Sequence, residues 1–228
     1  MTIEVWENAD AVATRAAAWI ASEAGAAVSA RGRFVFAVSG GRTPWLMLRA
    51  LARERVPWPS IHLLQVDERV APTGDADRNL THIQESLLDH VPLRPEQMHA
   101  MPVELPDLDE AARHYDQTLR LVAGDPPVLD VVHLGLGPDG HTASLVPGDP
   151  VLDVLDRDVA ATGIYQGRRR LTMTYPLLNR ARRMLWLVTG PDKVDALGRL
   201  RAGDASIPAG RLDQTRAILI ADRDAATR

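Results

Sequence analysis

Asp139 and His141 stand two residues apart in GLGPDGHTASL, residues 135–145, where glycines free the backbone directly after an apolar run. A carboxylate beside an imidazole can orient the ring and tune its charge, and a group titrating near about pH 6.5 suits general acid/base work. The spacing is too short for a helical pair, so the loop itself must fold to aim both side chains. A structural loop carrying a solvated histidine is the alternative. Thr142 reads as the start of a helix.

Three other stretches offer complementary chemistry. VSGGRTP, residues 38–44, supplies backbone N–H groups, the Ser39 and Thr43 hydroxyls and a helix N-terminus, which together suit an anion. The plainer reading is a tight Gly40, Gly41 turn with Thr43 as a helix cap; neither the Walker pattern nor G-x-G-x-x-G is met. DER places Asp67, Glu68 and Arg69 at the end of an apolar run, as part of a site or as a structural ion trio. RRRLTMTYPLLNRARR, residues 168–183, is basic at both ends, and Arg170, abutting its short apolar core, is its candidate anion ligand. Lys193, the only lysine in the chain, follows the turn VTGPDK.

The remaining histidines suggest less. His133 lies inside an apolar run and reads as a satisfied core residue, while His62, His82, His90, His99 and His114 share no spacing. No H-x-x-x-H or H-E-x-x-H pairing points to a metal, and neither a metal nor a cofactor is expected.

Positioning these groups falls to alternating elements. Residues 3–6, 33–38, 61–66, 129–134, 159–163, 171–174, 184–188 and 217–220 read as strands; most are apolar throughout. Helices are expected from Asn8 to about residue 30, from Thr43 with Pro44 at its first turn, and over 79–88, 108–122 and 192–200. Such alternation predicts an α/β fold with a doubly wound, mainly parallel sheet flanked by helices on both faces. Ligands then bind outside the strands' carboxyl ends, where the three polar loops of residues 39–43, 67–69 and 135–144 are all expected.

Composition narrows the classes. In 228 residues, 25% charged and 46% hydrophobic, there is enough chain for a sizeable core, and no linker divides it, so residues 1–228 are read as a single domain. A formal net charge of −4 without a long basic block argues against nucleic acid. Absence of cysteine removes disulfides, thiolate metal sites and a cysteine nucleophile. An acidic amino terminus and the lack of an apolar stretch near 20 residues argue against a leader or a membrane, so a cytoplasmic location is expected. A monomer is expected as well.

Taken in order, VSGGRTP, DERVAPTGDADRN, LGLGPDGHTASLVPG and RRRLTMTYPLLNRARRMLWLVTGPDK resemble the glucosamine-6-phosphate isomerase/6-phosphogluconolactonase family, and within it the 6-phosphogluconolactonases. The resemblance implies a fold shared with glucosamine-6-phosphate deaminases and ribose-5-phosphate isomerases, and a small sugar-phosphate lactone as substrate. It implies hydrolysis of 6-phospho-D-glucono-1,5-lactone in the pentose phosphate pathway. By the same similarity Ser39, Gly40, Gly41 and Thr43 hold the phosphate with Arg170 and Lys193, Arg69 sits at the lactone end, and Asp139 and His141 form the catalytic loop. Asp67 and Gly137 belong with the substrate-binding residues. Where the family usually has a third small hydroxyl residue after the glycines, this chain has Arg42, facing either phosphate or solvent.

Lactone hydrolysis needs an activated water, a donor for the developing oxyanion and a proton for the departing ring oxygen. The expected roles are proton transfer by His141, orientation by Asp139, and charge stabilisation by Arg69 or a glycine-loop N–H. A deaminase or isomerase on the same fold is the nearest rival. Its loop resembles D-G-H-I-A-F-N-E, with a glutamate where this chain has Val146. A non-catalytic sugar-phosphate sensor is a second rival and would not need Asp139 and His141.

Overall fold

The computed structural model describes residues 1–227. In chain order the elements are β1 (Thr2–Trp6), α1 (Ala9–Arg31), β2 (Phe34–Val38), α2 (Arg42–Leu51), β3 (Ile61–Gln65), β4 (Asp67–Arg69), α3 (Asn79–Ser86), β5 (Met98–His99) and α4 (Leu108–Ala123). They continue with β6 (Val131–Gly135), β7 (Val159–Ala161), β8 (Arg170–Met173), α5 (Tyr175–Arg180), β9 (Arg183–Val188), α6 (Val194–Arg201), β10 (Ala217–Asp222) and α7 (Arg223–Ala226). Seven strands form one sheet in the order β1-β10-β9-β6-β2-β3-β5, every neighbouring pair parallel.

The central strands are apolar on both faces because both are covered. Along β2, Phe34, Phe36 and Val38 pack with α1 and α2, while Val35 and Ala37 pack with α4 and residues beneath it. Alternation of side chains across a pleated strand divides FVFAV between two cores, which explains why all five residues are buried. Strand order reverses at β2 and β6: β3 and β5 extend to one side, β9 and β10 to the other. At such a switch point the loops leaving neighbouring strands diverge and open a crevice. Here those loops are residues 39–41 and 136–143.

The doubly wound expectation holds for this sheet, and three local readings are corrected. Asp67–Arg69 is a strand, β4, instead of a loop; it pairs antiparallel with β8, which pairs with β7, in a separate three-stranded sheet. Thr142 begins no helix. It closes a tight turn, with the Leu145 N–H donating to its carbonyl at 2.9 Å. Finally, α2 starts at Arg42 behind Gly41 without a side-chain cap, so Pro44 is the third helical residue. The Thr43 hydroxyl instead lies 2.5 Å from that of Thr189, in the loop after β9. The two-residue β5 and short α5 are too brief for a periodic signal, and neither was anticipated.

Candidate active site

The loop after β6 folds back on itself. The Gly137 N–H donates to the His141 carbonyl at 2.8 Å, and the Gly140 N–H donates to the Gly137 carbonyl at 3.0 Å. This tight return brings Asp139 Oδ1 to 2.6 Å from His141 Nδ1 and lets it accept the His141 backbone N–H at 3.1 Å. Gly137 is required by that approach: a Cβ there would stand 2.1 Å from His141 Nδ1 and 2.6 Å from Asp139 Oδ1. Partial burial pushes the Asp139 carboxyl up, but hydrogen bonds and charge from His141 outweigh it and hold the group below the usual carboxylate range. An ionised Asp139 only accepts, so the proton sits on Nδ1 and the lone pair on Nε2. The Gly137 N–H is engaged within the loop itself, by the His141 carbonyl.

The small sheet supplies the charges. Arg69 and Arg170 are direct cross-strand partners of β4 and β8, as are Asp67 and Thr172. Asp67 is buried and accepts the Ser144 Oγ hydrogen bond at 2.6 Å. Burial raises its carboxyl above the ordinary range, opposed by Ser144, Arg170 and Arg69. Arg170, also buried, donates from Nη1 to Ser144 Oγ at 3.4 Å and from Nη2 to Gln166 Oε1 at 3.3 Å. Its Nε has no partner in the protein. Arg69 is anchored through Nη1 by the Asp77 carbonyl at 2.7 Å and by Asn79 Oδ1 at 3.5 Å.

Glu68, between them, does something different. Its buried carboxylate accepts the backbone N–H groups of Arg69, Asn79 and Leu80 and the Gln65 side-chain amide, and pairs with Arg78 Nε at 3.2 Å. It anchors the start of α3, where unpaired N–H groups and the helix dipole favour a negative charge.

After β2, Ser39 is buried and its Oγ has no partner in the protein. The Ser39 N–H donates to His133 Nδ1 at 3.3 Å. His133 is thus satisfied at one nitrogen only, since Nε2 is buried without a partner, and burial lowers its pKa to about 3. Gly40 admits Asn79, whose Oδ1 would lie 1.9 Å from a Cβ at residue 40. Lys193, on the loop after β9, has Nζ 3.0 Å from Asp192 Oδ2.

These groups surround a cavity of about 160 Å³ lined by Ser39, Gly40, Asp67, Arg69, Asn79, Gly135, Leu136, Gly137, His141, Ala143, Arg170 and Lys193. A second cleft of about 590 Å³ shares Gly40, Gly135, Leu136 and Lys193 with it and adds Gly41, the exposed Arg42, and Thr43. Asp139 lines neither and contacts His141 from behind. Sequence reasoning missed Asn79, Ser144 and Tyr165. Asn79 reads as an ordinary helix start, and Ser144 lies in the glycine-rich loop 135–145 but carries no signal of its own. Tyr165 lies in a stretch without a motif; its hydroxyl donates to Asp139 Oδ2 at 3.4 Å. The fold also brings together His62 and His99, 3.1 Å apart between ring nitrogens on β3 and β5. Among the described residues no group of three or more metal-ligating side chains is arranged for an ion. None of their helices is long and apolar enough to cross a membrane.

Residues 7–220 match the family described as glucosamine-6-phosphate isomerases/6-phosphogluconolactonase. The chain is 38% identical over 207 residues to a 6-phosphogluconolactonase of Synechocystis sp., covering 89% of this chain and 86% of that one. Among solved structures, the 6-phosphogluconolactonase of Thermotoga maritima superposes with a TM-score of 0.86 at 25% identity, over 97% of this chain and 98% of that one. A monomeric glucosamine-6-phosphate deaminase superposes with a TM-score of 0.87 at 20% identity, over 100% and 99% of the two chains, a likeness of fold alone.

Proposed function

Since the chain belongs to the glucosamine-6-phosphate isomerase/6-phosphogluconolactonase family, we infer that it is a lactone hydrolase converting 6-phospho-D-glucono-1,5-lactone to 6-phospho-D-gluconate in the oxidative pentose phosphate pathway. The observation that carries the reading is the 2.6 Å contact between Asp139 Oδ1 and His141 Nδ1 at the rim of a cationic cavity. With Nδ1–H held by the carboxylate, Nε2 is the atom that takes a proton from the attacking water. The resulting imidazolium then protonates the departing ring oxygen. Arg69 faces the lactone end and stabilises the developing oxyanion.

The phosphate end is assigned to Ser39, Gly40, Gly41 and Thr43 with Arg170 and Lys193. Buried donors without a protein partner, Ser39 Oγ and Arg170 Nε, support that placement. Thr43 contributes through the loop it ties to Thr189, and Arg42, exposed at the second cleft, is the outermost cation. Asp67 holds Ser144 and Arg170 in place from below, and Gly137 shapes the loop that carries His141.

Against the deaminase and isomerase reading stands Val146, a buried apolar side chain that cannot transfer a proton where that loop carries glutamate. A sensor would not need the Asp139/His141 pair. On the same reading the chain acts as one domain, as a cytoplasmic monomer whose partner is a small sugar-phosphate lactone. It uses no cofactor, nucleic acid or membrane.

The test supplies freshly made 6-phosphogluconolactone and follows acid release above the spontaneous rate. His141→Ala lowers turnover at least about a hundredfold while inorganic phosphate still binds. Near-normal turnover in that variant would remove His141 from the mechanism, and no release above background in the native protein would remove the activity.

A further inference from the structure

Residues 163–169 form a hairpin between β7 and β8, closed by Tyr165 N–H to the Arg168 carbonyl at 3.0 Å and the reverse bond at 3.2 Å. Arg168 ties it down through ion pairs with Asp77 at 2.8 Å and Asp75 at 3.4 Å. Asp77 is also the residue whose carbonyl anchors Arg69. The hairpin and the lactone-end arginine therefore rest on one loop.

At its tip Tyr165 makes three contacts with site residues. Its hydroxyl donates to Asp139 Oδ2, the oxygen that His141 does not use, at 3.4 Å. Its ring meets the His141 imidazole edge to face, with centroids 5.5 Å apart and planes at 66°. The Arg170 guanidinium lies over the same ring, 5.0 Å from its centroid, and Arg170 Nη2 donates to the adjacent Gln166. Partial burial and the nearby Asp139 charge push the Tyr165 phenol above its ordinary range, so it remains a donor. Tyr165 does not line the cavity, so any effect on the reaction runs through these neighbours.

We propose that Tyr165 is a positioning residue that holds both the Asp139/His141 pair and Arg170, coupling the proton-transfer end of the site to its anion-binding end. The proposal rests on His141 as the proton-transfer group. The phenol O–H takes up part of the Asp139 charge and fixes that carboxylate's rotation, while its ring supports the Arg170 guanidinium from one face. The groups that bear on the His141 charge are Asp139 and Tyr165 directly, and Arg69, Arg170, Lys193 and Asp67 around the same cavity.

The experiment compares native protein, Tyr165→Phe and Tyr165→Leu by NMR titration of ring-labelled histidine, which needs no substrate, and by pH-dependent kinetics. Without the phenol donor, Asp139 holds the imidazolium more strongly. In Tyr165→Phe the His141 titration midpoint therefore rises by about 0.3 pH unit or more. The acid limb of kcat/KM moves up with it while KM stays within about twofold, since the ring remains under Arg170. Tyr165→Leu, lacking the ring, additionally raises KM at least about threefold. An unchanged midpoint in Tyr165→Phe overturns the link to Asp139, and equal KM values in the two variants overturn the support of Arg170. Because the titration is read on free protein, it fails or succeeds separately from the lactonase activity.

Discussion

Asp139 Oδ1 lies 2.6 Å from His141 Nδ1 and at the same time accepts the His141 backbone N–H, so one oxygen fixes both the ring and the chain that carries it. Asp139→Asn keeps the size but can turn an NH₂ toward Nδ1, which stabilises the other tautomer and removes the lone pair from Nε2. Turnover falls by about a hundredfold or more with KM within about threefold. Steady-state kinetics on the lactone check this; a variant retaining more than half of native turnover would show that the tautomer is set elsewhere.

Gly137 is packed against that pair from the other side. Gly137→Ala must push aside the imidazole or the carboxylate, because its new Cβ has 2.1 Å to the ring. Activity drops at least tenfold, since a misplacement of about 1 Å can cost roughly a hundredfold, while the thermal midpoint moves by only a few degrees. Gly25→Ala, mid-helix with nothing within 4 Å of its Cβ, serves as the control and keeps full activity.

The phosphate role proposed for Lys193 can be separated from the chemistry. Lys193→Ala raises KM for the phosphorylated lactone about tenfold, equivalent to about 1.4 kcal/mol, with little change in kcat. Glucono-1,5-lactone, which has no phosphate, is hydrolysed equally by both proteins. Equal losses on the two lactones would assign Lys193 to the fold instead.

His133 gives the protein an acid-sensitive core. Its folded pKa of about 3 lies below the ordinary imidazole value of about 6.5, so between those limits the unfolded chain binds more protons than the native one. Stability therefore falls as pH drops from about 6.5 toward 3, by up to about 1.4 kcal/mol per unit from this residue. Asp67 has the opposite sign, since its raised carboxyl favours the native state as pH falls, but it is common to both proteins compared. Urea melts of native protein and His133→Asn at pH 7, 5.5 and 4.5 should show a flatter pH dependence in the variant; parallel curves would contradict the assignment.

The continuous apolar runs at β2, β3, β6, β9 and β10 made the parallel sheet legible, because strands covered on both faces leave no polar alternation. The glycine loop was legible for a related reason: residues 137 and 140 have local backbone requirements that only the sequence near them can meet. The three-stranded sheet was not, since β4 and β8 are separated by 100 residues and are too short to show a period. The DER trio could not be apportioned from its order. Asp67 and Arg69 reach the cavity while Glu68 points to Arg78 and α3, a division that alternation along β4 imposes only once its register with β8 is known. Tyr165 was hidden because its meaning depends on Asp139 and His141, both distant until the hairpin folds, and on an Arg170 whose contact with the ring only that fold makes.

Arg69 opposite Arg170, and Asp67 opposite Thr172, make the β4/β8 ladder a reading frame for the site. A one-residue slip would turn each of these side chains to the other face. Inserting or deleting one residue within either strand thus erases the cationic wall outright. The same change at the exposed residues 155–157 only lengthens or shortens a connection. Length variation in this chain is tolerated or ruinous according to which side of that frame it falls.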